Sequence, residues 1–387
     1  MIDLINWLLE EGRDNDDLGA ILEKVSERLV ARGIPVCRTA LNMPTIDPVA
    51  AVLGFQWWCG KGVARSTFAD AGDTQFRRSP VGYLVERNLG TERWKLDDPE
   101  VVGRFALFQE LHALGITEYA LQVVPFSKGC TGLQGAALSM ATDRPGGFSD
   151  AEIEETARIL PALSLVAYRV GLLHVATETL GAYLGPQTGA RVLQGKIRRG
   201  DSQVISAALL LADLRGFTAL VDRARGTEVV GWLNQHLECI GDAVAERNGE
   251  VLKFLGDGIL AVFPAAPVGA EHACAEAVRA AIDACGRNAA LNVRRAAEGG
   301  PALDLTIALH FGDVLYGNIG SARRLDFTVI GPAVNEVSRM EALGKALGRE
   351  LLLSGSIAHR CGQPVLSLGP HELRGVAGTR EMYVVVA

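Results

Sequence analysis

Two spacings of apolar residues alternate along this chain and divide it into helices and strands. Residues 16–33, DDLGAILEKVSERLVARG, have helical periodicity and end at Gly33, a residue that often terminates helices. Two strand-like runs follow, YALQVVPF and GLQGAALSMA, separated by the turn-rich segment SKGCT. Ser149 and Glu152 then have the spacing of a capping box, which predicts that a helix begins directly after Ser149.

The helix predicted over residues 150–184 carries a repeat of its own. Its apolar positions alternate spacings of three and four, at Leu163, Val166, Val170, Leu173, Thr177, Leu180 and Leu184. This spacing is the seam of a two-stranded coiled coil, so the helix is a candidate for dimerisation. The alternative is that the same stripe packs on the sheet of its own domain. Residues 185–203, GPQTGARVLQGKIRRGDSQ, have the composition of a Gly-rich, basic joint.

The second half of the chain has the patterns of a mixed α and β domain. VISAALLLAD, residues 204–213, is a continuous apolar run, consistent with a strand that is buried on both faces. EVLKFL and ILAVF flank Gly256-Asp257-Gly258, and an Asp-Gly pair between apolar runs predicts a hairpin. PAVNEVSRMEALGKAL predicts a helix, because proline is well suited to a first helical turn.

The composition of the chain indicates a globular protein of two or three domains. A chain of 387 residues is long enough for two or three domains, and its apolar content is ordinary for a soluble globular protein. A net charge of −7 gives no sign of a nucleic-acid surface, which usually needs a basic patch. The seven cysteines have neither paired nor metal-ligand spacing, which predicts buried thiols in a reducing compartment.

The sequence also argues against export and against a membrane span. The N-terminal segment MIDLINWLLEEGRD carries acidic residues where a signal peptide needs lysines and a long apolar run. The most apolar long segment, ILPALSLVAYRVGLLHVA, is interrupted by Pro161 and Arg169. We therefore expect a cytoplasmic protein with no membrane and no nucleic-acid partner.

Acidic residues stand at the ends of two predicted strands. Asp213 closes the run VISAALLLAD, and Asp257 lies in the predicted hairpin turn. Two carboxylates on neighbouring strands suit Mg²⁺, which prefers a few carboxylates together with phosphate oxygens. Amides at the start of the next helix could bind phosphate, and the residues there are Leu214, Arg215, Gly216, Phe217 and Thr218. Taken singly, Asp213 is also consistent with a helix cap and Asp257 with a turn former.

A second group of polar residues suits a nucleotide. Lys253 lies four residues before Asp257, among apolar neighbours where a solvated lysine is uncommon. Asn335 and Arg339 are four residues apart and share one helical face, and Thr328 precedes that helix. A lysine can donate to adenine N1, and a hydroxyl can accept from the exocyclic amine. Taken alone, the Asn/Arg pair is better explained as a solvated surface pair.

In order and spacing, three segments resemble the catalytic domain of the class III adenylate and guanylate cyclases: ALLLADLRGFT, EVLKFLGDGILAVF and LDFTVIGPAVNEVSRM. The resemblance covers roughly residues 200–387 and implies an α+β fold with a ferredoxin-like βαββαβ core. It also implies that Asp213 and Asp257 bind two Mg²⁺ or Mn²⁺ ions, and that Lys253 and Thr328 contact the base.

The same resemblance implies a site shared between two catalytic domains. It assigns Asn335 to ribose positioning and Arg339 to the charge that develops on the α-phosphate, both from the partner of the metal-binding domain. This chain carries each set once, so a homodimer with two equivalent sites is implied. Thr306 stands where some family members have an arginine for the terminal phosphates, and Arg215 or another base is expected to compensate.

The first half resembles a different family. Its strand, turn, strand and GFSDAE helix are similar to the closing half of a GAF domain, with a PAS domain as the nearest alternative. The expected organisation is a GAF-like α/β sensor domain over 1–160, a long linker helix and joint over 161–203, and a cyclase domain over 204–387. A small-molecule ligand is expected on the sensor, and the side chains considered for it, which also have ordinary structural interpretations, are Trp57, Trp58, Cys37, Cys59, Cys130 and His112.

The function that these features predict is the conversion of ATP to 3′,5′-cyclic AMP and pyrophosphate, regulated by the sensor domain. Three alternatives have the same or a related fold. A guanylate or pyrimidine nucleotide cyclase would share every metal and phosphate residue. A diguanylate cyclase needs a GGDEF-like turn, which the sequence lacks. A non-catalytic regulatory module should have lost at least one of the six residues that the family uses.

Overall fold

The chain forms two compact units, Met1–Thr179 and Leu180–Ala387. The structure, a computed structural model, describes residues 1–44, 52–67, 76–126, 133–196, 198, 200, 202–221, 226–321 and 324–386. The two units are described in turn below.

The first unit is built on a six-stranded antiparallel sheet in the order β3-β2-β1-β6-β5-β4. Its strands are β1 Arg38–Pro44, β2 Val52–Trp58, β3 Gly62–Thr67, β4 Thr91–Lys95, β5 Glu118–Pro125 and β6 Gly135–Thr142. The predicted runs YALQVVPF and GLQGAALSMA are the adjacent strands β5 and β6, which pair antiparallel from Glu118 opposite Thr142 to Pro125 opposite Gly135. The predicted turn SKGCT lies outside the described residues.

Helices cover both faces of this sheet. They are α1 Ile2–Asp14, α2 Leu18–Ala31, α3 Pro80–Glu86, α4 Pro99–Val102, α5 Ala106–Ala113, α6 Asp150–Ala157 and α7 Leu160–Leu184. The capping box at the start of α6 is confirmed, because the Ser149 hydroxyl accepts from the Glu152 amide and the Glu152 carboxylate accepts from the Ser149 amide. Helix α2 ends two residues before Gly33, whose φ of +83° is the conformation that glycine tolerates best.

The first half of α7 is a core helix of the first unit. Leu163, Val166 and Val170, which begin the predicted dimer seam, are buried among the side chains of this unit. A Cβ placed on Gly12 of α1 would lie 2.3 Å from a methyl carbon of Val166, so the two helices touch closely there. The alternative interpretation of the stripe, packing within its own domain, therefore holds for these three residues.

Within the described residues, α7 is also the one helix that is long and apolar enough to cross a membrane. Its most apolar window is 44% buried inside the structure, and core helices of folded proteins pass the same test of length and composition.

Among the candidate ligand-binding residues of the first unit, the two tryptophans have structural contacts, whereas Cys59 and His112 are exposed. The Trp57 side chain is buried in the core of the first unit. The guanidinium of Arg38 and the ammonium of Lys61 lie over the ring of Trp58. The six described cysteines are free thiols, and Cys130 lies outside the described residues.

The second unit contains the predicted βαββαβ core. Its strands are β7 Ser202–Leu214, β8 Glu250–Leu255, β9 Gly258–Pro264, β10 Leu305–Gly320, β11 Leu325–Ile330, β12 Leu351–Ser354, β13 Val365–Glu372 and β14 Thr379–Val385. The sheet order is β13-β14-β12-β10-β7-β9-β8, with β11 paired to β10. The segment β10-β7-β9-β8 is antiparallel throughout and has the strand order of a ferredoxin-like fold, as predicted.

Helices bury both faces of this second sheet. They are α8 Pro186–Leu193, α9 Phe217–Val221, α10 Gly226–Glu246, α11 Ala270–Ala297, α12 Pro332–Ala346 and α13 Gly355–Ala358. Ala208, Leu210 and Ala212 of β7 pack in a core with α10 and α11, whereas the alternate residues of β7 pack in a second core with α12. The continuous apolar run is therefore a strand buried on both faces.

A buried carboxylate attaches α8 to the sheet. Glu250, the first residue of β8, is 3% exposed. One of its oxygens accepts from the amide of Thr188 at 3.0 Å and from the hydroxyl of Thr188 at 2.8 Å. The other oxygen accepts from the hydroxyl of Tyr316 on β10 at 2.7 Å. The segment that the sequence presents as a Gly-rich joint thus contains a docked helix.

A buried histidine joins α10 to α11. Arg295 donates to Nε2 of His236 at 2.9 Å, so this nitrogen is an acceptor and the proton lies on Nδ1, which bonds the Asn288 side chain. Arg295 also donates to the carbonyl of Trp232 at 2.8 Å. Burial lowers the pKa of His236 to about 4, and the positive charge of Arg295 acts in the same direction.

This neutral imidazole should make the stability of the second unit depend on pH. An unfolded histidine takes up a proton near pH 6.5, whereas folded His236 stays neutral until about pH 4. Its contribution is therefore present above pH 6.5 and is lost as the pH falls from 6.5 to 4. We expect His236→Gln to reduce the loss of unfolding free energy over this range by about 2–3 kcal/mol, measured by urea denaturation.

The control for this experiment is His272→Gln, because His272 is exposed on α11. It should leave the pH dependence of the wild type unchanged. Equal pH slopes for the wild type and His236→Gln would contradict the assignment of a neutral, buried imidazole.

Candidate active site

Strand pairing brings the two predicted metal aspartates to one edge of the sheet. Asp213 is the second-last residue of β7, and Ala212 before it lies opposite Ile259 of β9. A Cβ placed on Gly258 would lie 3.1 Å from Oδ1 of Asp213 and 2.8 Å from the carbonyl oxygen of Ala212. The Asp213 carboxylate therefore lies against the hairpin that carries Asp257.

The turn of the hairpin lies one residue earlier than the Asp257-Gly258 pair from which the hairpin was predicted. Leu255 pairs with Gly258, so the two turn residues are Gly256 and Asp257 rather than Asp257 and Gly258. Gly256 supplies the positive φ, +69°, that such turns require at their first position. Gly258 has a different role, since its missing side chain leaves room for Asp213.

Two further charged residues complete this edge, and the sequence interpretation did not include them. The Lys345 ammonium of α12 bonds the Asp213 carboxylate and lies 3.0 Å from Oε1 of Glu341, one helical turn earlier. Burial and then the negative charge of Asp257 raise the pKa of Glu341, so all four groups share one electrostatic environment. The i,i+4 spacing of Glu341 and Lys345 was the available signal.

The site fits a divalent cation held by two carboxylates and a substrate. No group of three or more His, Cys, Asp or Glu side chains in the described part of the chain is arranged to hold a metal ion. Mg²⁺ commonly takes one or two carboxylates and completes its coordination with water and phosphate oxygens, so Asp213 and Asp257 are a sufficient protein contribution. The Lys345 ammonium, positioned on Asp213, shows that this edge accommodates a cation.

The loop after β7 is hydrogen-bonded to other residues of the second unit. Leu214 ends the strand, Gly216 has a φ of +73°, and α9 begins at Phe217. Arg215 donates from Nε to the Thr306 hydroxyl at 2.6 Å, and from Nη2 to the carbonyl of Arg349. Arg215 and Thr306, which the sequence linked through phosphate binding, are therefore hydrogen-bonded to each other.

The assignment of residues 214–218 to phosphate binding stays a prediction. The side chain of Thr218 lies outside the described ones.

The predicted base-binding residues lie on two strands that do not pair with each other, and a carboxylate that the sequence interpretation missed connects them. Lys253 is on β8, and its ammonium bonds the carboxylate of Asp326 on β11. Thr328 is two residues after Asp326, so their side chains lie on the same face of β11. Thr328 is buried, whereas the Asp326 side chain is 57% exposed.

Asn335 and Arg339 lie on the exposed face of α12, as predicted. Both are exposed, while Val337 and Met340 between and beside them are buried under the sheet. Lys345, which touches Asp213, is ten residues after Asn335, and ten residues span about 15 Å along a helix. Within one chain, the Asn/Arg pair therefore stands well along the helix from the carboxylates.

Most of the second unit matches a known protein family. Residues 201–387 match the family described as the adenylate and guanylate cyclase catalytic domain. The adenylate cyclase of Anabaena cylindrica is 31% identical over 168 residues, which cover 43% of this chain and 33% of that protein. Adenylate cyclase 1 of Rhizobium meliloti is 31% identical over 183 residues, 46% of this chain and 27% of that protein. The matches thus span a third or less of these relatives.

Solved structures similar to the chain include cyclases of both base specificities. The adenylyl cyclase CyaB from P. aeruginosa has 25% identity over 48% of this chain and 96% of that chain, with a TM-score of 0.45. The guanylyl cyclase Cya2 has 27% identity over 49% of this chain and 94% of that chain, with a TM-score of 0.43.

The contact between Asp213 and Gly258 can be tested by adding one methyl group. Gly258→Ala places a Cβ within 2.8 Å of a backbone oxygen that cannot rotate away, so the hairpin or the end of β7 must shift. We expect a loss of about 1–3 kcal/mol in unfolding free energy, measured by urea denaturation.

Gly286→Ala is the matched control, because its Cβ meets nothing within 4 Å and Gly286 lies inside α11. It should raise the stability by about 0.5–1 kcal/mol. A neutral effect of Gly258→Ala would mean that β7 and the hairpin are less tightly apposed than described.

Proposed function

We propose that residues 201–387, which match the adenylate and guanylate cyclase catalytic domain, are a class III cyclase domain and that the protein is an adenylate cyclase. It would convert ATP to 3′,5′-cyclic AMP and pyrophosphate. The observation that carries the proposal is the pairing of β7 with β9, which brings the Asp213 carboxylate to the turn that holds Asp257. The similarity to two curated adenylate cyclases supports the choice of reaction.

Asp213 and Asp257 would hold two Mg²⁺ or Mn²⁺ ions. When bound, such ions lower the pKa of the ribose 3′-hydroxyl and balance the charge of the phosphates. The two aspartates would place these ions at the end of β7, where the backbone of residues 214–218 would face the phosphates of the substrate.

The reaction is an in-line displacement. The ribose 3′-oxygen attacks the α-phosphorus, the bond from that phosphorus to the β-phosphate oxygen breaks, and pyrophosphate leaves. Asn335 positions the ribose, and the Arg339 guanidinium stabilises the charge that develops at the α-phosphate. No side chain of the three motifs is an evident general base, so the 3′-proton passes to water or to the substrate.

Base recognition rests on Lys253 and Thr328. The Lys253 ammonium donates to adenine N1, and the Thr328 hydroxyl accepts from the exocyclic amine. Asp326 keeps the lysine over this face of β11, since the two side chains are bonded. Guanine has a donor at N1 and an oxygen at C6, so the lysine would oppose a donor there.

The site is proposed to form between two copies of the chain. Asn335 and Arg339 are exposed and about 9–15 Å along α12 from the residue that touches Asp213. A second copy can supply this pair to the carboxylates of the first, which gives a homodimer with two equivalent sites.

The first unit is proposed to be a cytoplasmic, GAF-like sensor for a small-molecule ligand. A six-stranded antiparallel sheet with helices on both faces supports this proposal. The proposed organisation is a sensor over 1–160, a linker over 161–203 and a catalytic domain over 204–387.

Base preference is the first test of the proposed function. Purified protein with Mn²⁺ should form cyclic AMP from ATP, with a kcat/KM for ATP at least about tenfold above that for GTP, which is about 1.4 kcal/mol of discrimination. Lys253→Glu combined with Thr328→Cys should reduce that ratio, because both adenine contacts are replaced. A wild type that cyclises GTP, CTP or UTP better than ATP would contradict the adenylate assignment, and a chain inactive on all four would be a regulatory module.

Mixing two inactive variants tests the shared site. Asp213→Ala and Arg339→Ala should each lose about 10²–10³ in rate, since each removes a charge contact of the transition state. Random exchange gives mixed dimers in half of the population, and one of their two sites is intact. Cyclic AMP formation should therefore recover to about a quarter of the wild-type rate. Exchange demonstrated by differently tagged chains, without recovery, would place both residue sets in one chain.

A further inference from the structure

Lys345 is held between carboxylates at the edge of the sheet that carries the proposed metal residues. Its ammonium bonds Asp213 and lies 3.0 Å from Oε1 of Glu341. Asp257 lies in the hairpin turn next to Gly258, which the Asp213 carboxylate approaches, and its negative charge also acts on Glu341. The Lys345 side chain is 35% exposed and that of Asp213 is 23% exposed, so water screens these charges only in part.

The ammonium makes unequal contacts with its two neighbours. Its contact with Asp213 is a hydrogen bond. Its contact with Glu341 has an ion-pair distance but not the geometry of a hydrogen bond, and Oε1 of Glu341 is a buried oxygen without a donor. Glu341 thus offers an unused acceptor within reach of the ammonium.

Three carboxylates this close repel one another unless a cation lies among them. When no divalent ion is bound, the one cation that the described residues bring into contact with Asp213 is Lys345. A metal ion on Asp213 would meet the ammonium directly, and like charges cannot share the carboxylate without cost. The ammonium can then turn toward Glu341 on its own helix.

We infer that Lys345 is a positioning residue of the active site, a built-in cation that holds the carboxylates in place without metal and moves to Glu341 when a divalent ion binds. This inference rests on the metal role of Asp213 and Asp257 in the proposed function. It predicts two effects of opposite sign for one substitution: removing the ammonium destabilises the metal-free protein and strengthens its affinity for metal.

Lys345→Met tests both effects, because methionine keeps the unbranched chain without the charge. Mn²⁺ binding is titrated by electron paramagnetic resonance of full-length protein with MnCl₂ and no nucleotide. The variant should bind Mn²⁺ about fivefold more tightly than the wild type. In EDTA, its thermal midpoint should fall by about 2–4 °C, and MnCl₂ should restore it.

Two control variants separate this role from a merely structural one. Lys24→Met removes a lysine that pairs with Glu11 in the first unit and should not change the affinity for Mn²⁺. Lys345→Arg keeps a positive charge and should return the midpoint in EDTA toward that of the wild type. A Lys345→Met variant that is less stable but binds Mn²⁺ with unchanged or weaker affinity would overturn the inference.

Glu341→Gln tests the second position of the ammonium. If Glu341 acts by receiving Lys345, this substitution weakens Mn²⁺ binding in the wild-type background and has little effect in the Lys345→Met background. An equal weakening in both backgrounds would mean that Glu341 acts on the metal directly, and the proposed displacement to Glu341 would be wrong.

The inference and the proposed function can fail separately. Tighter Mn²⁺ binding by Lys345→Met in a protein without cyclase activity would support the role of Lys345 and refute the adenylate cyclase assignment. Unchanged Mn²⁺ binding by Lys345→Met, in a protein that makes cyclic AMP, would refute the role of Lys345 and support the adenylate cyclase assignment. Asp213→Ala serves as a control for the titration: this variant should lose Mn²⁺ binding if the titration reports on this site.

Discussion

The antiparallel register between β7 and β10 is the constraint on which the second unit depends. It runs without a break from Leu214 opposite Leu305 to Ser202 opposite Gly317, and β9 is aligned on the other side of β7. Alternate residues of β7 enter two different cores, so a slip by one residue would exchange the cores and turn Asp213 to the opposite face. The position of the Asp213 carboxylate at this edge therefore follows from hydrophobic packing.

Helix α12 combines packing with chemistry on separate faces. Val337 and Met340 anchor it under the sheet, and that anchorage fixes the direction of every polar residue on the helix. Lys345 near its C-terminal end then points to the carboxylates of the same chain, while Asn335 near its start is exposed. One rigid element thus serves the site of its own chain at one end and, in the proposed dimer, a second site at the other.

Features that depend on neighbouring residues were predictable from the sequence, while those that depend on distant pairing were not. The buried strand before Asp213, the hairpin and the Ser149 capping box follow from local spacing, and the structure contains all three. The bonds from Lys345 to Asp213 and from Lys253 to Asp326 join residues far apart in the chain. A three-four repeat likewise fits a dimer seam and a core helix equally well, and only the surroundings of Val166 distinguish them.

The buried carboxylate of Glu250 links a helix of the second unit to one of its strands. It fastens Thr188 of α8 to the first residue of β8, and Lys253 lies three residues, about 10 Å, further along that strand. Helix α8 and the strand that carries Lys253 are therefore tied together by side-chain hydrogen bonds, and the hydroxyl of Tyr316 ties the same carboxylate to β10. A displacement of α8 at Thr188 would therefore be passed to β8 through the side chain of Glu250, by two hydrogen bonds.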